Sequence, residues 1–401
     1  MTREVQRGYF GPQFSGWRSL QPAVDSKEEA QEASHAREDL KSTLLSSLQM
    51  QHVTVLAGSG TSLGESVKGP SMWTLWDNCV NDNPDTGDDE RKPSAVAREV
   101  IQKIEFDEDY TNIEALLSRC DAYQQIYDDE VVESFITSSK ATILKKCTEF
   151  IDSGQSDQLN AHKTFLHRMS RRRVRDSRLK LFTTNYDLCF EKAASTQGLV
   201  ALDGFSFTEP RLFDPRFFQY DIIRKPIGRD ELGTPLEGVF HLYKLHGSVN
   251  WSRLSVGDVE IDVNPDPKDA ALIYPAYGKY QQSYVQPHLE LISRYLGTLR
   301  EPNTCMIILG FGFNDDHLSE PIVAAVKSNP HLRLIVVNPT ANKFNDSTNS
   351  IQKTIFQLAS EGEDVWLINA TFSDFVAMIP DLKSLTPAQR LQRDIASMVN
   401  S

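Results

Sequence analysis

Six short apolar runs recur along the chain and predict the strands of one sheet. They occupy residues 52–57, 179–182, 239–245, 305–309, 332–337 and 365–369. Most of them are continuously apolar rather than alternating, which is typical of parallel strands that helices cover on both faces. Apolar residues at helical spacing predict helices between several strands, for example over residues 288–299. The pattern therefore predicts an α/β, Rossmann-like fold with a parallel six-stranded sheet.

A long stretch without strand-like runs separates the first two predicted strands. From about residue 85 to 175 the apolar residues recur at helical spacing, so we interpret this stretch as a helical insertion. Residues 1–25 are rich in aromatic residues and predict an N-terminal arm that contacts the body or a partner. We expect one main domain over residues 26–380 and a C-terminal tail or helix over residues 381–401.

The net charge and the distribution of cysteines limit the binding partners, the cellular compartment and the metal sites that we expect. The net charge of -13 argues against a surface that coats nucleic acid or anionic lipid as a whole. The five cysteines are scattered, without a Cys-x-x-Cys pair. This usage predicts free thiols in a reducing cytoplasm, no zinc ribbon and no metal site. The polar start predicts no signal peptide, and no apolar run is long enough to span a membrane.

One basic run stands out against the acidic background. Residues 171–175 read Arg-Arg-Arg-Val-Arg, at the end of the predicted insertion. Such a run is compatible with a nucleic-acid or acidic-partner site. It is also typical of a solvated helix end, which is the simpler interpretation.

A glycine-rich turn follows the first predicted strand. Ligands of open parallel sheets bind beyond the carboxyl ends of the strands, so the residues there carry the candidate chemistry. Gly58 and Gly60 allow a close backbone approach to a pyrophosphate, and Ser62 with nearby N–H groups can donate to its oxygens. A plain tight turn is the alternative, since the spacing differs from the usual G-x-G-x-x-G.

Two further strand ends carry side chains suited to catalysis. Asn185 combines a donor and an acceptor without charge, and Asp187 is suited to ribose hydroxyls. An Asx-type turn is the competing interpretation for this pair. His246 titrates near neutral pH and can move protons at a bond-breaking centre. A hydrogen-bonded core histidine is the competing interpretation.

The strand-end motifs, taken in order, resemble those of the sirtuin superfamily. Residues 55–62 resemble the sirtuin Val-Leu-Thr-Gly-Ala-Gly-Ile-Ser stretch, residues 183–187 its Thr-Gln-Asn-Ile-Asp, and residues 245–248 its Leu-His-Gly-Ser. Gly310 and Gly312 stand where sirtuins have Gly-Thr-Ser, and Asn338 stands at their Ile-Asn. The resemblance implies NAD as substrate, with Asn185 and His246 as catalytic residues. It implies NAD contacts for the following residues: Gly58, Gly60, Ser62, Asp187, Gly310, Gly312 and Asn338.

Departures from the sirtuin pattern change the implied reaction. The four cysteines of the deacylase zinc ribbon cannot be placed here, and residues 69–75 differ from the sirtuin Pro-Asp-Phe-Arg stretch. The chain looks more like the bacterial sirtuin-like domains of anti-phage defence proteins, which hydrolyse NAD. That resemblance implies NAD hydrolysis to nicotinamide and ADP-ribose, a homo-oligomer, and a hexameric HerA-type ATPase as partner. An NAD-dependent protein deacylase, a non-catalytic NAD-binding scaffold subunit and a cyclising enzyme remain the alternatives.

Overall fold

The computed structural model describes residues 7–21, 27–82, 84, 92–107, 109–151, 157–173, 176–225, 233–254, 257–272 and 286–381. The strands in chain order are β1 Gly8–Phe10, β2 Arg18–Ser19, β3 His52–Ala57, β4 Leu179–Thr183, β5 Val200–Leu202, β6 Ile223–Arg224, β7 Thr234–Pro235, β8 Val239–Lys244, β9 Gly247–Arg253, β10 Val259–Ile261, β11 Ala270–Leu272, β12 Thr304–Leu309, β13 Leu332–Asn338 and β14 Val365–Asn369. The helices are α1 Lys27–Leu48, α2 Met72–Val80, α3 Ala95–Lys103, α4 Ile113–Tyr127, α5 Glu130–Glu149, α6 Asn160–Met169, α7 Cys189–Thr196, α8 His288–Thr298, α9 Asp316–Ser328, α10 Ser350–Glu361 and α11 Phe372–Met378.

A nine-stranded sheet with the order β2-β1-β14-β13-β12-β3-β4-β8-β5 forms the centre of the molecule. The stretch from β14 to β5 is parallel throughout and contains all six predicted strands, with β5 added at one edge. The central strands are buried almost along their whole length. Two large apolar clusters, one on each face, join the sheet to its helices. The predicted α/β architecture is therefore confirmed.

The strand order has a reversal beside β3. From β3 the chain builds outwards through β4 and β8, and it later returns to place β12 on the other side of β3. Loops that leave neighbouring strands in opposite directions open a crevice at the carboxyl ends of those strands. The crevice therefore lies between the ends of β3 and β12, with the end of β4 beside it.

The N-terminal arm is part of the sheet. β1 pairs antiparallel with β14, and β2 pairs antiparallel with β1. The ring of Tyr9 lies 5.6 Å from that of Phe14 and 6.4 Å from that of Trp366, measured between ring centroids. Tyr9 and Phe10 are thus buried against the body, and Phe14 lies half-buried beside them.

The helical insertion packs against the loops at the carboxyl edge of the sheet. Helices α2 to α5 share an apolar cluster with Tyr186, Val249 and Leu272. Asn112 and Asp129 cap α4 and α5 with side chains that accept backbone N–H groups. The insertion therefore lies beside the loop that follows β4.

A second, smaller sheet follows β8. β9, β10 and β11 form a three-stranded antiparallel sheet in the order β10-β9-β11. The cause is Gly247, whose φ of 89° turns the chain from β8 directly into β9. Residues 273–285, and residues 382–401 of the expected tail, lie outside the described residues.

The basic run forms hydrogen bonds with backbone carbonyls at the end of α1. The Arg172 guanidinium donates to the carbonyl oxygens of Leu48, Met50 and Gln51 at 2.6, 2.6 and 3.0 Å, just beyond α1 and before β3. Arg173 donates to the carbonyl of Gln49 at 2.6 Å. These arginines supply donors to carbonyls that the helix leaves unpaired. Residues 174 and 175 of the run lie outside the described residues.

Candidate functional site

The strand register brings the predicted site residues to one level. Leu309 pairs with Ala57, Ala57 with Thr183, and Thr183 with Lys244. Gly58 and Gly310 therefore follow their strands by one residue, and Asn185 and His246 follow the paired positions by two. The sheet itself places these four residues along one edge.

The glycine turn (residues 58–62) touches the turn that follows β12. A Cβ on Gly58 would lie 2.7 Å from the carbonyl oxygen of Gly310, and one on Gly60 would lie 2.6 Å from the Gly310 Cα. Gly310 itself adopts a φ of 58°. The glycines are thus required because two backbones meet here, whatever else binds at this edge.

The donors of the glycine turn have partners within the protein. The N–H groups of Gly58 and Gly60 donate to the carbonyls of Leu309 and Gly310, each at 2.9 Å. The hydroxyl of Ser62 donates to Asp187 at 2.8 Å. Contact of Gly58, Gly60 and Ser62 with a pyrophosphate stays a prediction. Within the protein, the three residues join the ends of three strands.

Asn185 is buried, and its amide is only half used. Its Nδ2 donates to the hydroxyls of Thr61 and Ser62, both at 3.2 Å. Its Oδ1 is buried and accepts no hydrogen bond from any residue that the structure describes. The side chain is 7% exposed, so bulk water does not compensate. Asn185 is therefore held firmly by one end, with an acceptor left available at the other.

Asp187 serves the same loop. Its Oδ2 accepts the Ser62 hydroxyl, and its Oδ1 accepts the N–H of Cys189 at 3.0 Å, in the first turn of α7. Both oxygens thus have partners, which holds the Asn-Tyr-Asp loop (residues 185–187) against the glycine turn. The predicted contact of Asp187 with a ribose stays a prediction.

His246 is 2% exposed and lies among other imidazoles. Its Nε2 is buried without a hydrogen-bond partner among the described residues. Burial, helped by His317 and His288, lowers the pKa of His246 well below its ordinary value. The ring is therefore uncharged at neutral pH.

Lys244 anchors the Asn-Tyr-Asp loop, and this residue was not identified from the sequence. Its ammonium donates to the backbone carbonyls of Tyr186, at 3.2 Å, and Asp187. It also pairs with the Glu191 carboxylate at 3.0 Å. The side chain of Lys244 is 4% exposed. A lysine at the end of an otherwise apolar strand was the available signal, because a buried lysine needs partners.

The helical insertion adds a carboxyl group that the sequence did not indicate. The Tyr186 hydroxyl donates to Oε1 of Glu114, in the first turn of α4, at 2.7 Å. Burial, together with the charge of Asp315, raises the pKa of Glu114 to about 8. Burial and the neighbouring Asp316 raise the pKa of Asp315 to about 7. Two carboxyl groups with raised pKa values thus belong to this edge.

The remaining predicted residues lie further along the edge. The backbone carbonyl of Gly312 accepts the side-chain amide of Gln352 at 3.1 Å. Asn338, at the end of β13, accepts the N–H and hydroxyl of Thr340 at 2.9 and 2.8 Å. Their predicted contacts with the adenosine half of NAD stay predictions.

The part of the chain that the structure describes contains no cluster of His, Cys, Asp or Glu able to hold a metal ion. All five cysteines are free thiols, and four of them are buried. None of the helices in the described ranges combines the length and apolarity that a bilayer crossing requires.

Comparisons with known proteins identify one family profile. The profile described as SIR2-like domain matches residues 179–357, just under half of the chain. No curated protein matches the sequence. A crystal structure of a Sir2 homologue with NAD is 14% identical, and the match covers 85% of this chain and 92% of that chain at a TM-score of 0.39. An ADP-ribose complex of a mutant Sir2 homologue is 12% identical, with 84% and 94% covered at 0.38.

Proposed function

We propose that the protein is an NAD glycohydrolase that converts NAD and water into nicotinamide, ADP-ribose and a proton. The observation that carries this proposal is the pair of unsatisfied buried atoms, Asn185 Oδ1 and His246 Nε2. Leaving a buried polar atom unpaired costs roughly 1–3 kcal/mol. Two such atoms at aligned strand ends, in the crevice of a Rossmann-like sheet, are best explained by a bound reactant.

The geometry supports a division of labour between the two residues. Uncharged His246 accepts a proton from the attacking water as that water bonds to the anomeric carbon of the ribose. The glycosidic bond breaks, and its electrons leave with nicotinamide, which becomes neutral. Asn185 Oδ1 accepts a hydrogen bond from the water or from the nicotinamide carboxamide. Ser62 and Thr61 keep that amide in position.

NAD as the substrate is supported by the strand-end motifs that resemble those of sirtuins. It is also supported by the SIR2-like profile, which spans Asn185, His246, Gly310, Gly312 and Asn338. Water as the nucleophile is supported by the sequence, whose scattered cysteines offer no zinc ribbon.

Single substitutions at the two unsatisfied atoms test the proposal. Purified Asn185→Ala and His246→Ala proteins should each release nicotinamide at least ~100-fold more slowly than wild type, as expected for loss of a positioned acid–base group. Asn342→Ala and His331→Ala, which change exposed residues of the same types, are matched controls and should retain the wild-type rate. Chromatography of nicotinamide and ADP-ribose gives the readout. Wild-type rates in both site variants would refute the assignment.

The product analysis separates this function from its alternatives. An acyl-lysine peptide that is deacylated in step with NAD consumption would identify a deacylase. Cyclic ADP-ribose in place of ADP-ribose would identify a cyclising enzyme. NAD that binds without nicotinamide release, also in the presence of a partner, would identify a scaffold subunit.

We further propose, on the resemblance alone, that the hydrolysis depletes cytoplasmic NAD in antiviral defence. In that function, assembly of a homo-oligomer or of a complex with a HerA-type hexameric ATPase gates the site. Cells that carry both proteins should lose NAD after phage infection, and cells with His246→Ala should not. NAD loss that is independent of infection would contradict the gating.

A further inference from the structure

Hydrolysis of NAD by the buried His246 requires a route by which the released proton reaches solvent. Each turnover releases one proton, which in the proposed function is bound by His246. That side chain is 2% exposed and its Nε2 is closed off from solvent. A second group that carries the proton from this buried ring to the surface would reset the base after each turnover.

A second imidazole stands beside it. The ring centroids of His317 and His246 are 5.8 Å apart, and the ring planes are inclined by 31°. At this spacing two imidazoles are within reach of each other, directly or through one water. His317 lies in the first turn of α9, directly after the loop that leaves β12, and it is partly exposed. It therefore reaches from the buried histidine towards the surface.

We propose that His317 takes the proton from His246 and passes it to solvent. The inference rests on the proposed NAD hydrolysis. In each cycle the bond between the proton and Nε2 of His246 breaks, and a nitrogen of His317 binds the proton. His317 then releases it to water, so both rings return to the uncharged form and no further reactant is needed. His317 is thus a positioning residue that acts through His246.

The neighbours of the two rings fix the direction of transfer. On the inner side of His246 stands His288, which is fully buried and whose Nδ1 faces the carbonyl of Leu245 at 3.3 Å. That side leads into the core. The neighbour that faces His317 is Asp316 on the same helix, and its charge partly offsets the effect of burial on the pKa of His317. His246 is 2% exposed and His317 is partly exposed, so the path from His246 through His317 leads outwards.

Chemical rescue tests the proposal. His317→Gln should lower kcat for nicotinamide release at least ~10-fold in weak buffer and leave KM unchanged. Added imidazole should restore kcat in proportion to its concentration, because a small base can replace the missing ring. Wild type and the control His331→Gln, which changes an exposed histidine, should not respond to imidazole. Circular dichroism confirms that the variants are folded.

The outcomes separate the two proposals. An active wild type, together with His317→Gln that keeps its full kcat in weak buffer, overturns the function of His317 and leaves NAD hydrolysis standing. A loss that imidazole does not restore shows a structural effect and also overturns it. A wild type that releases no nicotinamide with or without a partner overturns the proposed hydrolysis itself.

Discussion

Charged side chains form ion pairs at the amino ends of the central sheet, whereas two buried polar atoms lack partners among the described residues at its carboxyl ends. At the amino ends, Lys180 of β4 donates to both carboxylate oxygens of Glu301 at 2.8 and 2.7 Å. Nearby, Arg333 donates to both oxygens of Asp364 at 3.0 and 2.9 Å. At the carboxyl ends, Asn185 Oδ1 and His246 Nε2 have no partner among the described residues.

The difference shows that unpaired polar atoms lower the stability at the carboxyl ends of the strands. Both ends belong to the same parallel strands. At the carboxyl ends, Asn185 Oδ1 and His246 Nε2 are buried without a partner among the described residues, and burial raises the pKa values of the Glu114 and Asp315 carboxyl groups. Such local costs are typical of functional sites, whereas satisfied ion pairs are typical of structural ones. Substitutions at the two ends should therefore separate stability from activity.

The largest effect on stability is expected at the amino ends. Arg172→Ala removes the donors to the carbonyls of Leu48, Met50 and Gln51, and should lower the free energy of unfolding by about 2–3 kcal/mol. Arg173→Ala, at an exposed residue, should cost less than about 1 kcal/mol. Urea unfolding measures both changes. Nicotinamide release per folded molecule should be unaffected, and a loss of activity that matches that of Asn185→Ala would break the comparison.

A smaller effect is expected at the ion pair of β4. Lys180 and Glu301 are 20% and 34% exposed, and Lys180→Met should cost about 1 kcal/mol. The matched control is Lys145→Met, which breaks an exposed pair with Glu149 and should cost about 0.3 kcal/mol. Thermal unfolding in low and high salt measures both. The Lys180 effect should shrink less with salt than the control, and equal effects would contradict a specific contribution at this end.

The third effect, at Glu114, depends on pH. The pKa of this carboxyl is raised to about 8 in the fold, above its ordinary 4.5. The folded state thus keeps a proton that the unfolded state releases, so the Glu114 contribution to stability falls as pH rises between these values. Glu114→Gln stays neutral and should gain stability relative to wild type from pH 5 to pH 8.

The exposed Glu28→Gln is the matched control for this experiment. Its stability relative to wild type should be the same at pH 5 and pH 8. Urea unfolding at the two pH values gives the readout for both variants. A constant difference between Glu114→Gln and wild type would show that Glu114 is ionised throughout this range.

Much of the fold was predictable because strand signals are local. The continuous apolar runs of β3, β4, β8, β12, β13 and β14 identified the parallel core. The edge strands β5, β1 and β2 are only two or three residues long, which is too short for a periodic signal. The sheet of β9 to β11 was missed because β10 and β11 have only three residues each, which is too short for a periodic signal.

The sequence by itself determined the strand ends and the residue types that stand there. Gly58, Asn185 and His246 were recognisable as candidates because each lies within three residues of the end of an apolar run, and parallel strands present their carboxyl ends at one edge. That argument needs only neighbours along the chain. The sequence does not show which atoms of these residues already have hydrogen-bond partners in the fold.

Only the tertiary structure decided that question. Glu114 meets Tyr186 across 72 residues of sequence, and His317 meets His246 across an entire set of strands and helices. The N–H groups of Gly58 and Gly60 donate to the carbonyls of Leu309 and Gly310, at the end of β12. Hydrogen bonding, burial and pKa depend on every group within a few ångströms, and packing brings those groups from distant parts of the chain. For that reason the candidate site residues could be identified from the sequence, and their hydrogen bonding and pKa shifts could not.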